Sequence, residues 1–388
     1  MSENRKKRGI VFWFACQLAA GAVLTGSLGA VSARADSLVL GVAGSLSGSN
    51  AAEGEHLKHG SEAAVADLNK KGGLLGQQVE LFFGDDAGDP RQAVAVANQM
   101  VNHNVIGVIG HLSSGASIPA SSVYGESGII MISPSSTNPM VTDGAAEKGF
   151  NTIFRVSGRD DVQGRVIGDY LAKKFAGKNI AIIHDKQAYG KGLADQAKKV
   201  LNDAGQTEVL FDSISPGERD FSALVSKLKA AKVDAVLFGG YYAEGGLLIR
   251  QAREQGLTTQ FVAGDALNNT SFWEIAGDAA NGTLFTFPPD PRKLPDAQPV
   301  LQELKAKGDP AEGYTLYAYA AVQVYACGAE KAKSTNGQDI AKVLKSGEPC
   351  PTTIGPIAFD EKGDVKQQNF VFFEWRDGKY NQLPDVAN

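Results

Sequence analysis

From Leu38 onward, short unbroken apolar runs alternate with longer stretches whose apolar positions recur at helical spacing. Leu38–Ala43 predicts a strand, His56–Lys71 a helix ended by Gly72-Gly73, and Val79–Gly84 a second strand. Pro90–Asn104 and Ser114–Ser127 read as helices, Val105–Gly110 and Gly128–Ser133 as strands. The rhythm restarts after Phe154: helices at Asp161–Phe175, Tyr189–Ala204, Phe221–Ala231 and Ala243–Gln255 alternate with strands at Asn179–His184, Glu208–Asp212, Val233–Gly239 and Gln260–Gly264. Runs without polar alternation, such as Gly128–Ser133, suit parallel strands covered on both faces.

Two successive βα blocks predict an α/β protein of two doubly wound lobes, with a single (β/α)₈ barrel as the structural rival. The ending departs from the pattern. Helices at about 297–307 and 313–331 follow each other, and then Ile357–Phe359, the turn 360–364 and Phe370–Trp375 read as strand, turn, strand. The chain has no low-complexity linker, so short segments join the halves.

The first 35 residues have a different character. Arg5-Lys6-Lys7-Arg8 precedes an apolar stretch from Gly9 to about Val31, and Ala33-Arg34-Ala35 has the small-residue spacing of a cleavage site. This predicts a secretory signal peptide cut after Ala35, with a retained anchor or a lipoprotein at Cys16 as alternatives. Without residues 1–35 the chain keeps 33 basic and 42 acidic side chains, a net of −9. That balance disfavours nucleic acid or an anionic membrane as partner, and no later apolar run is long enough for a span. The expectation is a soluble acidic protein outside the cytoplasm.

Two cysteines remain beyond that segment. Cys327 ends a predicted helix and Cys350 lies between Pro349 and Pro351, so a joined pair is expected, with two buried thiols as the alternative.

Signatures of chemistry are missing. The sequence contains no G-x-S-x-G, no G-x-x-x-x-G-K-[ST], no G-x-G-x-x-G, no Cys-x-x-Cys and no His-Glu-x-x-His. No cofactor is expected. His56 and His59, near Glu53 and Glu55, have the spacing of a helical metal pair, but an ordinary solvated helix start explains them and no metal is assigned. His184, at the end of a buried strand, reads as a turn residue.

In parallel sheets, ligands bind beyond the strand C-termini. In the first half those turns carry Ser113, Ser114 and then Ser135, Ser136, Thr137 and Asn138; in the second, Asp185, Tyr189, Tyr241, Glu244, Asp265 and Asn268. The first half thus offers hydroxyls and amides, and the second aromatics and a carboxylate.

These turns, with Gly84–Asn98, Ile109–Ser114, His184–Gly192, Gly239–Glu244, Leu248–Arg253 and Phe359–Asp364, resemble the periplasmic binding proteins of the leucine/isoleucine/valine type. The resemblance implies two α/β lobes joined by three crossing strands and closing on a ligand. It implies a first lobe of residues 36–155 and about 289–369, and a second of about 156–288 and 370–388. It implies delivery of an amino acid to an ABC permease in the inner membrane, with a sensory module or, more remotely, a periplasmic enzyme using Glu53 and Asp265 as alternatives.

By the same resemblance, Ser114, Ser135, Ser136 and Thr137 would hold the ligand α-carboxylate, Asp265 the α-ammonium, and Tyr189 and Tyr241 would close over it. Three departures stand out. Glu53 occupies a position usually held by an aromatic ring, Tyr314 adds a hydroxyl where an apolar ring is common, and Gly88 and Ser113 replace a first-lobe disulfide. Glu53 therefore points to a more polar ligand, unless it turns to solvent or pairs with Lys58.

Overall fold

The computed structural model describes residues 37–309 and 311–384; the expected leader at 1–35 lies outside them. The first βα block runs β1 (Leu38–Gly44), α1 (Ala51–Lys70), β2 (Val79–Asp85), α2 (Pro90–Asn102), β3 (Val108–Gly110), α3 (Ser114–Glu126), β4 (Met131–Ser133), α4 (Met140–Glu147) and β5 (Ile153–Arg155). Its strands form one parallel sheet in the order β2-β1-β3-β4-β5. Local chemistry sets the boundaries. Asp89 accepts from the amides of Arg91 and Gln92 at 2.8 and 2.9 Å with Pro90 behind it, a strong helix start.

The second block runs α5 (Asp160–Lys174), β6 (Ile180–His184), α6 (Ala188–Asp203), β7 (Leu210–Ser213), α7 (Ser222–Ala230), β8 (Ala235–Gly239), α8 (Tyr242–Glu254), β9 (Gln260–Ala263), α9 (Thr270–Ala276) and β10 (Leu284–Phe287). Then come α10 (Gln298–Ala306), α11 (Thr315–Ala332), α12 (Gly337–Leu344), β11 (Val371–Arg376) and β12 (Lys379–Gln382). The second sheet has the order β12-β11-β10-β9-β8-β6-β7, parallel except where β11 meets β10 and β12. Every residue of β6 and β8 is buried, which explains their continuous apolar sequence.

The chain passes from the first sheet to the second after β5. It leaves again after β10, so that α11 packs on α1 and against β3 and β4, and it returns at β11. The α1–α11 contact is backbone-close: a Cβ on Gly60 would lie 2.2 Å from the Thr315 carbonyl oxygen. Gly54 meets Ser45 in the same way, at 2.1 Å. These two glycines press α1 against its neighbours and fix where its first turn points.

A buried ionic knot secures the first passage. Arg155 Nε lies 2.6 Å from Asp364, and Arg159 reaches Asp364 at 2.6 Å and Asp143 at 2.9 Å. Cys327 and Cys350 form a disulfide that ties α11 to the segment beyond α12. No helix among the described residues is long and apolar enough to cross a membrane.

Several elements differ from the sequence reading. Helix α1 begins at Ala51, ahead of the expected His56, because Ala51, Ala52 and Gly54 carry little amphipathic signal. Strand β3 is shorter than expected, and residues 357–359 make only isolated bridges, Ile357 with Cys350 and Phe359 with Val365. The short elements α4, β5, α9, β10, α12 and β12 have too few residues for periodicity to register.

Candidate functional site

The C-terminal ends of the two sheets meet around a nearly closed cavity of about 10 Å³, lined by Glu53, Leu112, Ser114, Ser135, Tyr189, Tyr241, Asp265, Ala266 and Tyr314. Seven of the nine ligand-site residues expected from sequence are in that lining; Ser136 and Thr137 are not. A larger hollow of about 560 Å³ lies elsewhere, along Val156, Gly158, Pro288–Pro291 and Lys366–Asn369. It is proline-rich, and none of the convergent acids and hydroxyls line it.

On the first-sheet side the serines divide by role. Ser135 donates its hydroxyl to the Leu112 carbonyl at 2.9 Å, and Ser136 donates to the same carbonyl at 2.8 Å. Ser133 donates to the His111 carbonyl at 2.7 Å. These hydroxyls brace the β3–α3 turn against the β4 turn. Ser114 is different: its Oγ accepts from the Asn138 amide at 3.2 Å, which leaves its own hydrogen to donate. It opens α3, capped by Ser113, where first-turn amides have no intrahelical partner. The buried Thr137 hydroxyl has no partner either. Ser114 and the α3 terminus thus offer a cradle of donors suited to an anion, while Thr137 lies outside the cavity lining.

The β3–α3 turn is further anchored by a buried relay. His111 Nδ1 lies 2.6 Å from Asp86 and Nε2 lies 3.0 Å from the Tyr124 hydroxyl. Asp86 in turn accepts from the Gly88 amide at 2.8 Å. The relay joins the turns that contain Gly88 and Ser113, and its imidazole is fully buried, shut off from any reacting group.

On the second-sheet side, Asp265 follows β9 and is buried. Tyr189 donates to its Oδ1 at 2.9 Å, and Tyr314 donates to its Oδ2. Tyr189 fits beside the strand end because residue 264 is glycine; a Cβ there would lie 2.2 Å from the phenol oxygen. The Tyr189 and Tyr241 rings pack 5.3 Å apart.

Sequence reasoning missed Asp160. It occupies the first turn of α5 and is fully buried; neither carboxylate oxygen makes a hydrogen bond of full geometry, though the Thr137 side chain and the Arg155 charge favour its ionised form. Its own amide donates to Thr137 O at 2.9 Å, which holds it beside the anion cradle. The only signal in sequence was an acidic pair, Asp160-Asp161, at a helix start, and such pairs usually face solvent.

Glu53 is buried in the first turn of α1, and its Oε1 has no partner. It does not turn to solvent, and Lys58 lies against Glu55, at 3.9 Å. Burial, then repulsion from Asp265, pushes the Glu53 carboxyl up to about 8. Burial and then Asp265 push Asp160 well above the carboxylate range, and burial raises Asp265 against the pull of its tyrosine hydrogen bonds. Two buried acids, Glu53 and Asp265, line one small space, and Asp160 lies close enough to Asp265 for the two to repel.

His56 and His59 do not form a metal pair: His59 sits between Asp309 at 2.5 Å and Glu55 at 3.2 Å, while the half-buried His56 bonds to neither acid, its titration lowered to about 4 chiefly by desolvation. Among the described residues, no three His, Cys, Asp or Glu side chains are placed to share a metal ion. His184 Nδ1 accepts from the Lys186 amide at 3.0 Å, a turn contact.

Two α/β lobes with acids and hydroxyls facing each other across a closed cleft define a bilobal binding protein, and the chain belongs to the periplasmic binding protein family, matching it over residues 37–379. Within that family its relatives are of the Leu/Ile/Val-binding type. It is 47% identical to Leu/Ile/Val-binding protein homolog 2 of Brucella abortus (strain 2308), over 89% of this chain and 92% of the relative. It is 45% identical to Leu/Ile/Val-binding protein BraC3 of Rhizobium johnstonii, over 88% and 92%. Among solved structures, the leucine binding protein LivK of Thermotoga maritima superposes with a TM-score of 0.81 at 27% identity, covering 89% of this chain and 98% of that one.

Proposed function

We propose that this protein is the periplasmic component of an ABC importer and that it captures an α-amino acid between its lobes and presents it to a membrane permease. The observation that carries the reading is the cavity itself: donors at Ser114 line it together with the buried carboxylate of Asp265, complementary to the two ends of a zwitterion. The names of its relatives favour a branched-chain amino acid.

In this reading Ser114 and the α3 amides take the α-carboxylate. Ser135 and Ser136 position those groups by bracing the turns. Asp265 takes the α-ammonium together with the neighbouring Asp160, and Tyr189, Tyr241 and Tyr314 form the closing wall. Residues 36–155 with about 289–369 make one lobe and the remainder the other, the three passages acting as the hinge. The protein works as a monomer, is exported by the leader at 1–35, and catalyses no reaction.

The test is a thermal-shift screen of the protein against single amino acids, followed by calorimetry. A ligand at 100 times its dissociation constant stabilises the folded state by about 2.7 kcal/mol. A screen in which no α-amino acid shifts the transition defeats the proposal.

A further inference from the structure

We propose that Glu53 selects the ligand's side chain, so that the pocket prefers amino acids with a hydrogen-bond donor or positive charge beyond Cβ over aliphatic ones of the same shape. This rests on the amino-acid reading above and specifies its substrate class.

The first observation is the balance of groups. An α-amino acid carries one ammonium, and Asp265, held by two phenols, already lines the cavity to meet it. Glu53 enters from a third element, α1, and no Lys or Arg lines the cavity to compensate it. The second is an unmet hydrogen bond. Oε1 of Glu53 is buried in the lining without a partner, and a buried carboxyl oxygen left unpaired is costly. A methyl group placed against it leaves that cost standing, whereas an ammonium or amide removes it.

The third observation concerns the walls. Only Leu112 and Ala266 are aliphatic; the rest of the lining is phenol, hydroxyl or carboxylate. Such walls solvate a polar chain better than a bare isobutyl group. A divalent metal is not the occupant, because the acids are not placed to share one ion. The acid is also held in position: the close contact of Gly54 with Ser45 fixes the turn that carries it, and the neighbouring Ala52 amide donates to Tyr242 at 3.4 Å.

The experiment compares isosteric pairs by calorimetry at fixed pH on the wild-type protein. Norvaline is matched with 2,4-diaminobutyrate and norleucine with ornithine, and leucine is included. The expected result is at least tenfold tighter binding of the amino member of one pair. In Glu53→Leu that preference should reverse. Glu53→Gln, which keeps a polar group, should weaken the charged ligand while retaining more of its binding than the leucine variant does. If the alkyl members bind the wild type as tightly as the amino members, Glu53 is not the selector although the amino-acid reading stands. If none of the five compounds nor any other α-amino acid binds, both fall together. Because the wild-type pairs decide the question, a variant that fails to fold does not protect the proposal.

Discussion

Tyr189 donates to Oδ1 of Asp265 at 2.9 Å, and the second oxygen of the same carboxylate is taken by Tyr314. The acid expected to grip the ligand's ammonium is thus already engaged by two phenols, while the Asp160 carboxylate makes no hydrogen bond of full geometry. Charge in this cleft is shared between a held carboxylate and a loosely held one. That division leads to the first prediction.

Asp160→Asn and Asp265→Asn should each weaken amino-acid binding, by roughly 2–5 kcal/mol for loss of one partner of a desolvated charge pair. Asp265→Asn should additionally loosen Tyr189 and Tyr314, visible as altered tyrosine fluorescence in the unliganded protein. Calorimetry on both variants checks this. An unchanged dissociation constant for either removes that residue from the site.

Stability of the unliganded protein should fall as pH rises from about 5 to 8. The folded state holds Glu53 to about 8, against a usual 4.5, and Asp185 to about 7 through burial, against a usual 3.8. Between those values the folded protein binds more protons than the unfolded chain, so raising the pH favours unfolding. Asp143 acts oppositely: the Arg159 hydrogen bonds hold it down to about 2, so its contribution is present above its ordinary range and is lost as pH falls through that value. Thermal melts should show a maximum near pH 5, and Glu53→Gln should flatten the alkaline decline. A melting temperature that climbs steadily to pH 8 contradicts this account.

The Cys327–Cys350 bond should be present in protein recovered from an oxidising compartment. It closes a loop with a sequence separation of 23, worth roughly 3 kcal/mol in the chain-entropy description. Alkylation and mass spectrometry without reductant should find neither thiol free, and reduction should lower the melting temperature while leaving amino-acid selectivity unchanged.

The closed cleft is latched by few direct bonds. Asn138 Nδ2 donates to the Ala188 carbonyl at 2.7 Å, linking the β4–α4 turn to the start of α6. Asn138→Ala should weaken ligand binding by about 0.5–1.5 kcal/mol, the worth of one such bond, chiefly through faster release. Stopped-flow dissociation measures it, and an unaltered off-rate excludes a latch.

Much of this molecule was legible in its residues. The buried strands 180–184 and 235–239 read directly as apolar runs, and the turns bearing Ser114, Tyr189, Tyr241 and Asp265 followed from where those runs end. Periodicity is a local property, and a parallel strand covered on both faces is apolar whatever covers it. What tertiary structure alone decided is which way the polar groups face. Ser135 and Ser136 look alike in sequence to Ser114, yet their hydroxyls are spent on the Leu112 carbonyl. Asp160 has the sequence of an ordinary solvated helix start, and becomes a buried acid only because the chain crosses there between two sheets. Glu53 is buried because α1 lies flush against α11, brought back from the far end of the chain. Burial and hydrogen-bond partnership depend on segments distant in sequence, and no local pattern encodes them.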